Sequence, residues 1–73
     1  MRKIVVNPKI LSGKPIFEGT RIPVELILEL LSQGHNPEEI LKEYPSLAKK
    51  DILSAISFAA KKIKEEKIYP ISL

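Results

Sequence analysis

The sequence predicts a mainly α protein, in which a bundle of three helices follows a short N-terminal β segment. Three observations lead to this prediction. Apolar residues recur at helical spacing in three stretches after residue 22. Proline or glycine stands at the boundaries of these stretches. Before residue 23 the apolar residues instead come in short groups between turn-forming residues, a pattern that is typical of brief strands.

Residues 1–22 are predicted to form loops and two or three short strands. Apolar pairs such as Ile16-Phe17 favour β structure and are separated by turn formers. Pro8 and Pro15 lack the N–H that a central strand donates to its neighbour. We therefore expect edge strands, and an uncovered edge tends to pair with another chain.

The first helix is predicted over residues 23–34. Pro23 suits the first turn of a helix, because its missing N–H would have no partner within the helix there. The apolar side of the helix is formed by residues at steps of three and four, widened by two further leucines: Val24, Ile27, Leu28 and Leu31, with Leu26 and Leu30. Gly34 can adopt the left-handed conformation that ends many helices.

The second helix is predicted over residues 36–44. Asn36 can cap its start, Pro37 suits its first position, and Glu39 completes a capping-box pattern. Pro45 disfavours helical geometry at Tyr44, so we expect the helix to end within about two turns.

The third helix is predicted over residues 47–66. Leu47 and Ile52 have the spacing of a hydrophobic staple around an entry at Ala48. Its apolar residues recur at steps of three and four, and Ile52 and Ile56 are predicted to pack inward. Residues 67–73 are predicted to form an extended apolar tail.

Composition excludes several classes of protein. The 73 residues, 44% apolar and 29% charged, are typical of one globular domain spanning residues 1–73. Without cysteine there is no disulfide framework, thiolate metal site or thiol nucleophile. The apolar run at the N-terminus is too short for a signal peptide, and no stretch is long enough for a membrane span. We therefore expect a cytoplasmic protein without membrane partners.

Charge is distributed unevenly along the chain. Residues 1–21 carry a net charge of +4, residues 22–44 a net charge of −4, and residues 45–73 a net charge of +3. An acidic middle between two basic ends can create a positive face that binds a polyanion. Two solvated faces without any ligand would produce the same pattern.

The second and third predicted helices have the layout of a helix-turn-helix, with residues 46–66 as the candidate recognition helix. In this arrangement the outer side of the third helix presents lysines and serines that can reach phosphates or base edges: Lys49, Lys50, Ser54 and Ser57. Arg21 is a further candidate contact to the DNA backbone. A plain three-helix bundle would show nearly the same apolar pattern, so both readings stay open.

Catalysis and cofactor binding are not expected. The stretch Gly13–Arg21 only superficially resembles a phosphate-binding loop, since five residues separate its glycines and its lysine is misplaced. His35 is the only histidine and has neither a second histidine nor a cysteine as a metal partner. No pair of residues is spaced for general acid–base chemistry. We expect neither an enzyme nor a metal or cofactor site.

Two runs of residues are distinctive in combination: Gly19-Thr20-Arg21-Ile22-Pro23-Val24 and Tyr44-Pro45-Ser46-Leu47. Further matching stretches are Asn7-Pro8, Ser12–Ile16, Leu30–Gly34, Glu38–Leu41 and Asp51-Ile52. Together they resemble the signature of domain-of-unknown-function family 433. The resemblance extends from about Ile4 to Ala60, which is most of the chain.

This resemblance implies a homeodomain-like three-helix (helix-turn-helix) fold behind a short β segment. Members of the family are small bacterial and archaeal proteins that are often interpreted as antitoxins, encoded beside a PIN-like ribonuclease toxin. By that likeness the protein is expected to bind a PIN-like toxin protein, to repress its own operon and to form a homodimer.

Ala48 departs from the family pattern, in which Ser or Thr often caps the third helix at this point. Lys49 and Lys50 follow it and bring positive charge to the positive end of the helix dipole. We expect this arrangement to cost some helix stability and to be favourable beside a phosphate.

The alternative function is that of a protein-interaction module, which keeps the helix-turn-helix fold without binding DNA. Its contact surfaces would be the edge strand near residues 4–6 and the apolar tail. The tail residues predicted to bind a partner are Ile68, Tyr69, Ile71 and Leu73.

Overall fold

The computed structural model describes residues 2–65, and it has the predicted fold class: three helices preceded by a two-stranded antiparallel β segment. The predicted apolar tail lies outside the described residues. In chain order the elements are β1 (Ile4–Val6), β2 (Pro15–Phe17), α1 (Val24–Ser32), α2 (Pro37–Glu43) and α3 (Lys49–Glu65), with one 3-10 turn at Leu11–Gly13.

The β segment places one large side chain beneath the helices. Ile4 is paired with Phe17 and Val5 with Ile16. Because successive residues of a strand point to opposite faces, Phe17 and Ile16 face opposite sides of the ribbon. Phe17 is fully buried against α1, whereas Ile16 is covered by the loop that returns towards Pro23. The two-stranded β segment therefore packs against the helices and contributes to the core.

The helix α1 begins one residue later than predicted, because Pro23 keeps an extended conformation (ψ 142°) and takes the cap position. Its end confirms the role expected of Gly34, which has a φ of +93°. The Gly34 N–H donates to the Leu31 carbonyl, and the His35 N–H donates to the Leu30 carbonyl. This pair of hydrogen bonds is a Schellman motif, which satisfies carbonyl groups that the helix leaves free.

The capping box at the start of α2 is also confirmed. The Glu39 N–H donates to the Asn36 side-chain oxygen at 2.9 Å, and the Asn36 N–H donates to the Glu39 carboxylate at 3.5 Å. The helix ends at Glu43, just before Tyr44, where Pro45 stops further helical turns. A seven-residue helix is too short to be stable alone, so the cap and the buried Ile40 anchor it to the body.

The core is small and lies between the three helices and β2. Among the described residues its buried members are Phe17, Val24, Ile27, Ile40, Leu47, Ile52 and Ala55, while Ile16 is buried on the other side of the ribbon. Leu47 and Ile52 are both in this cluster, on either side of the entry into α3. The helix itself begins at Lys49, two residues later than predicted, because the turn through Ser46 and Ala48 is not helical.

The prediction that Ile56 packs inward is wrong: 48% of this residue is exposed. A helix turns by about 100° per residue, so Ile56 is displaced by about 40° from Ile52 around the axis. The other helices cover the side of α3 that carries Ile52 and Ala55, and they leave Ile56 outside. The apolar repeat of α3 therefore serves two different faces.

Among residues 2–65, none of the helices combines the length and the apolar content that crossing a membrane requires.

Candidate nucleic-acid interface

The outward face of α3 carries a polar side chain at every turn. Lys50, Ser54, Ser57 and Lys61 follow one another at steps of four, three and four, and such steps keep residues on one side of a helix. This side lies roughly opposite the buried Ile52. We call these four residues the polar face of α3.

The polar face forms one wall of an open groove of about 440 Å³ between α3 and the N-terminal residues. Arg2 and Ile4 also line this groove, and Leu53 and Phe58 add apolar surface to it. Three cationic side chains (Arg2, Lys50 and Lys61) thus surround a groove whose hydroxyl groups can donate or accept hydrogen bonds. Among the described residues that line it there is no carboxylate.

Arg2 is held in place by the start of α3. Its guanidinium donates to the Ser46 carbonyl at 3.0 Å and lies 3.6 Å from the Asp51 carboxylate. The Asp51 side chain is only 6% exposed, so a carboxylate at the beginning of α3 is withdrawn from solvent and neutralised by a cation. This carboxylate is consequently shielded from a ligand that approaches the groove from solvent.

Ala48 has no side-chain oxygen that could cap α3, and Asp51 supplies part of the missing cap. The Ala48 N–H donates to the Asp51 carboxylate at 2.8 Å, and the Asp51 N–H donates to the Ala48 carbonyl at 2.9 Å. A carboxylate in the third helical position therefore satisfies one of the backbone N–H groups at the helix start. It also supplies a negative charge at the positive end of the dipole, where Lys49 and Lys50 bring the opposite sign.

The structure brings together three of the five residues that the sequence pattern proposed for DNA contact. Lys50, Ser54 and Ser57 line the same groove. Lys49 is exposed, but it is one residue before Lys50 and so points about 100° away from it around α3. Lys49 is not among the residues that line the groove.

Arg21 lies in another part of the molecule. It is exposed and lines a second groove, of about 340 Å³, formed by the β segment and its loops. Among the described residues, the two grooves share no lining residue. The neighbouring Thr20 has a structural role: its hydroxyl donates to the Phe17 carbonyl at 2.8 Å and accepts from the Ile22 N–H at 3.1 Å. With Gly19 at a φ of +80°, these bonds fix the turn from β2 towards α1.

Sequence reasoning missed Arg2 and Lys61. Lys61 could have been found, because it is four residues beyond Ser57 on the predicted helix. No local signal identifies Arg2, since its partners Ser46 and Asp51 are distant in sequence. Asp51 carried a weak signal, as an acidic residue three positions after a helix cap is one half of a capping box.

The single histidine of the sequence forms a pair at the surface of the protein. His35 lies 3.5 Å from the Glu39 carboxylate, and both side chains are about half exposed. Within residues 2–65, no group of three or more histidine and acidic side chains is arranged to hold a metal ion.

Comparisons with known proteins identify the family to which the chain belongs. The model of DUF433, described as a protein of unknown function, matches residues 4–59. A curated relative, the uncharacterized protein y4eO of Sinorhizobium fredii (strain NBRC 101917 / NGR234), is 39% identical over 59 residues, which are 80% of this chain and 27% of that protein. The chain thus spans about a quarter of the length of this relative. No solved structure matches the present chain. The matched region contains both strands, the first two helices and most of α3, and the chain belongs to the DUF433 family.

Proposed function

We propose that the protein binds double-stranded DNA through the polar face of α3 and acts as the antitoxin-like, DNA-binding member of a toxin–antitoxin pair. The observation that carries the proposal is the groove in which Arg2, Lys50 and Lys61 surround Ser54 and Ser57. Lysine and arginine bind phosphates, while serine hydroxyls can contact phosphates or base edges. Burial of Asp51 against Arg2 keeps a carboxylate away from this surface.

The arrangement of α2 and α3 supports the same proposal. Helix-turn-helix proteins place the second helix of the pair in the major groove, with residues near its N-terminus on the base edges. Here the second helix of the pair is α3, and its first turns carry Lys50 and Ser54 on the side away from the core. Proteins of this type commonly bind as dimers to two half-sites, and we propose a homodimer for this one as well.

Binding is best measured as a function of salt, using a duplex from the region upstream of the protein's own gene and an unrelated duplex of equal length. We expect affinity to fall steeply with salt, because displaced counterions accompany each phosphate contact. Lys50→Ala and Lys61→Ala should each weaken binding and flatten the slope of log K against log salt by about one.

Two matched lysine variants sharpen this test. Lys49→Ala removes the same charge one residue earlier, on another side of the helix, and should weaken binding less than Lys50→Ala. Lys42→Ala removes an exposed lysine from α2 and should leave the slope unchanged. If the Lys50→Ala, Lys61→Ala double variant binds both duplexes as the wild type does, the polar face is not the DNA-binding surface.

The resemblance to antitoxins motivates the second half of the proposal, a PIN-like toxin as protein partner, whose gene is expected beside that of this protein. Co-expression of the two proteins followed by copurification tests it. Deleting residues 68–73 should abolish the complex if the apolar tail is the contact, while an unaffected complex would exclude the tail.

A protein-interaction module without DNA binding is the second candidate function. One observation favours it: three large apolar side chains of α3, those of Leu53, Ile56 and Ile63, are about half exposed or more. Exposed apolar residues concentrated on one helix are typical of a protein-contact surface. Partner binding together with salt-independent, negligible DNA binding would favour this candidate over the first.

A further inference from the structure

One large apolar side chain lies in the groove that is proposed to bind DNA. Leu53 is 58% exposed and lines this groove beside the polar face of α3. Ile4 and Phe58 line it as well, but both are partly buried and pack against the core. Among the described residues, Leu53 is therefore the apolar lining group that is most open to a ligand.

The neighbours of Leu53 on the surface of α3 include hydrogen-bond donors. Lys50 comes three residues before it and Ser57 four residues after it. Such steps place side chains next to one another on a helix, with their Cβ atoms about 5–6 Å apart. An ammonium group or a hydroxyl can donate to an acceptor while the leucine contacts an apolar group beside that acceptor. The groove thus offers an apolar contact and a donor side by side.

Thymine is the base whose major-groove edge matches this pair of groups. It presents the O4 acceptor beside a 5-methyl group, whereas adenine, guanine and cytosine present donors and acceptors there but no methyl group. A leucine packed against one of those polar edges would cover polar atoms without bonding to them, which is unfavourable. Burial of a methyl group instead strengthens binding, by about fourfold.

We propose that Leu53 contacts the 5-methyl group of a thymine in the major groove, while Lys50 or Ser57 donates to the O4 atom of the same base. The inference rests on the proposed DNA-binding function and adds the base that this part of the surface selects. Leu53 is the fifth residue of α3, and helix-turn-helix proteins place the first turns of this helix on base edges. The preferred DNA therefore has an A·T pair at the position that Leu53 faces.

The charges around the groove favour DNA over an apolar protein segment as the occupant. Arg2, Lys50 and Lys61 line it, and no described lining residue carries a carboxylate. An apolar segment would remove water from these cations without supplying an opposite charge, whereas the phosphates on either side of a base pair neutralise them. Ile56 is also about half exposed on α3, but it is not among the described residues that line this groove. Leu53 thus differs from Ile56 in having cations and hydroxyl groups around it.

Replacement of thymine by uracil tests the inference, because uracil pairs as thymine does and lacks only the 5-methyl group. The duplex from the region upstream of the protein's own gene is prepared once with thymine and once with uracil throughout. Both duplexes are titrated with the full chain at one salt concentration. Affinity of the wild type for the uracil duplex should be lower by about fourfold for each methyl group that Leu53 contacts. Replacement of single thymines then locates the base pair.

Three variants assign the effect to one side chain. Leu53→Ala should bind the two duplexes about equally, because it has lost the group that contacts the methyl. Leu53→Met keeps an apolar side chain of similar volume and should retain most of the difference. Ile56→Ala is the matched control, since it shortens an exposed apolar residue of the same helix and should keep the full ratio of the wild type. Circular dichroism checks that each variant is folded, as expected for residues that are about half exposed.

The possible failures of this test have different meanings. A wild type that binds both duplexes equally well would overturn the inference, leave the DNA-binding function standing and favour a protein contact for Leu53. A Leu53→Ala variant that keeps the full ratio would also overturn it, because the effect of the methyl groups would then come from DNA shape or from another residue. Absence of binding to either duplex would reject the DNA-binding function itself, and the inference with it.

Discussion

The guanidinium of Arg2 lies 3.6 Å from the carboxylate of Asp51 and joins the beginning of the chain to the beginning of α3. The same carboxylate accepts a hydrogen bond from the Ala48 N–H, and the same guanidinium donates to the Ser46 carbonyl. The side chains of Arg2 and Asp51 therefore both bind the backbone of the turn between α2 and α3. That turn sets the direction of α3, and with it the position of the polar face.

Asp51→Ala should lower the free energy of unfolding by about 1–3 kcal/mol. The variant loses a helix-capping acceptor, and it leaves the Ala48 N–H and the Arg2 guanidinium without that partner. Urea denaturation followed by circular dichroism measures the change. Asp51→Asn keeps an oxygen that can accept from Ala48 but loses the charge, so an intermediate effect is expected.

Glu43→Ala is the matched control for Asp51, since it removes an exposed carboxylate at the end of α2. Its effect should remain within about 0.5 kcal/mol. Equal stability of the Asp51→Ala and Glu43→Ala variants would show that the Arg2–Asp51 pair contributes little to the fold.

Asn36→Ala should cost about 1 kcal/mol, because it removes the side-chain acceptor of the capping box at α2. Asn36→Asp is the control, since aspartate caps a helix about as well as asparagine, and its cost should be only a few tenths of a kcal/mol. Thermal or urea unfolding of both variants measures the difference. Similar losses in the two variants would mean that the amide group, and not the cap, is what stabilises this helix.

Lys14 is expected to lose its proton at a higher pH than an ordinary lysine. The hydrogen bond and the charge of Glu25, whose carboxylate lies 2.6 Å from the Lys14 ammonium, raise the pKa of Lys14 above its ordinary value of 10.5. A raised pKa in the folded state means that the pair stabilises the protein fully below pH 10.5, and that this stabilisation disappears as pH rises through the folded-state pKa.

An NMR titration of the Lys14 side chain measures this shift. Glu25→Gln should return the pKa of Lys14 towards 10.5, whereas Glu29→Gln, which removes another exposed carboxylate of α1, should leave it raised. An unchanged Lys14 titration in Glu25→Gln would show that the two groups are not paired in solution.

Local chemistry made much of the fold predictable from the sequence. The Asn36 capping box and the positive φ of Gly34 depend on residues that are close together in the chain. Their physical causes, a side-chain acceptor for a free N–H and a residue without Cβ, can therefore be recognised without knowing the tertiary structure. The order of the elements follows from these boundaries together with the apolar spacing.

Contacts between distant parts of the chain could not be predicted in this way. Arg2 pairs with Asp51 only because the fold brings the first residues of the chain to the start of α3, and nothing near either residue in the sequence indicates the other. For the same reason Lys50 and Lys49 looked equivalent, although the groove includes only Lys50. Periodicity shows which residues share a side of a helix, but not which side another element covers.

The two faces of α3 give the last prediction, which compares a buried and an exposed isoleucine of one helix. Ile52 is 2% exposed, so Ile52→Ala should cost about 2–5 kcal/mol through lost apolar burial and the cavity that remains. Ile56 is 48% exposed, and Ile56→Ala should cost less than about 1 kcal/mol in dilute protein. Urea unfolding at micromolar concentration measures both, since dilution keeps any association from adding to the stability. Equal losses would place Ile56 in the core of the monomer, and not on an exposed apolar surface of α3.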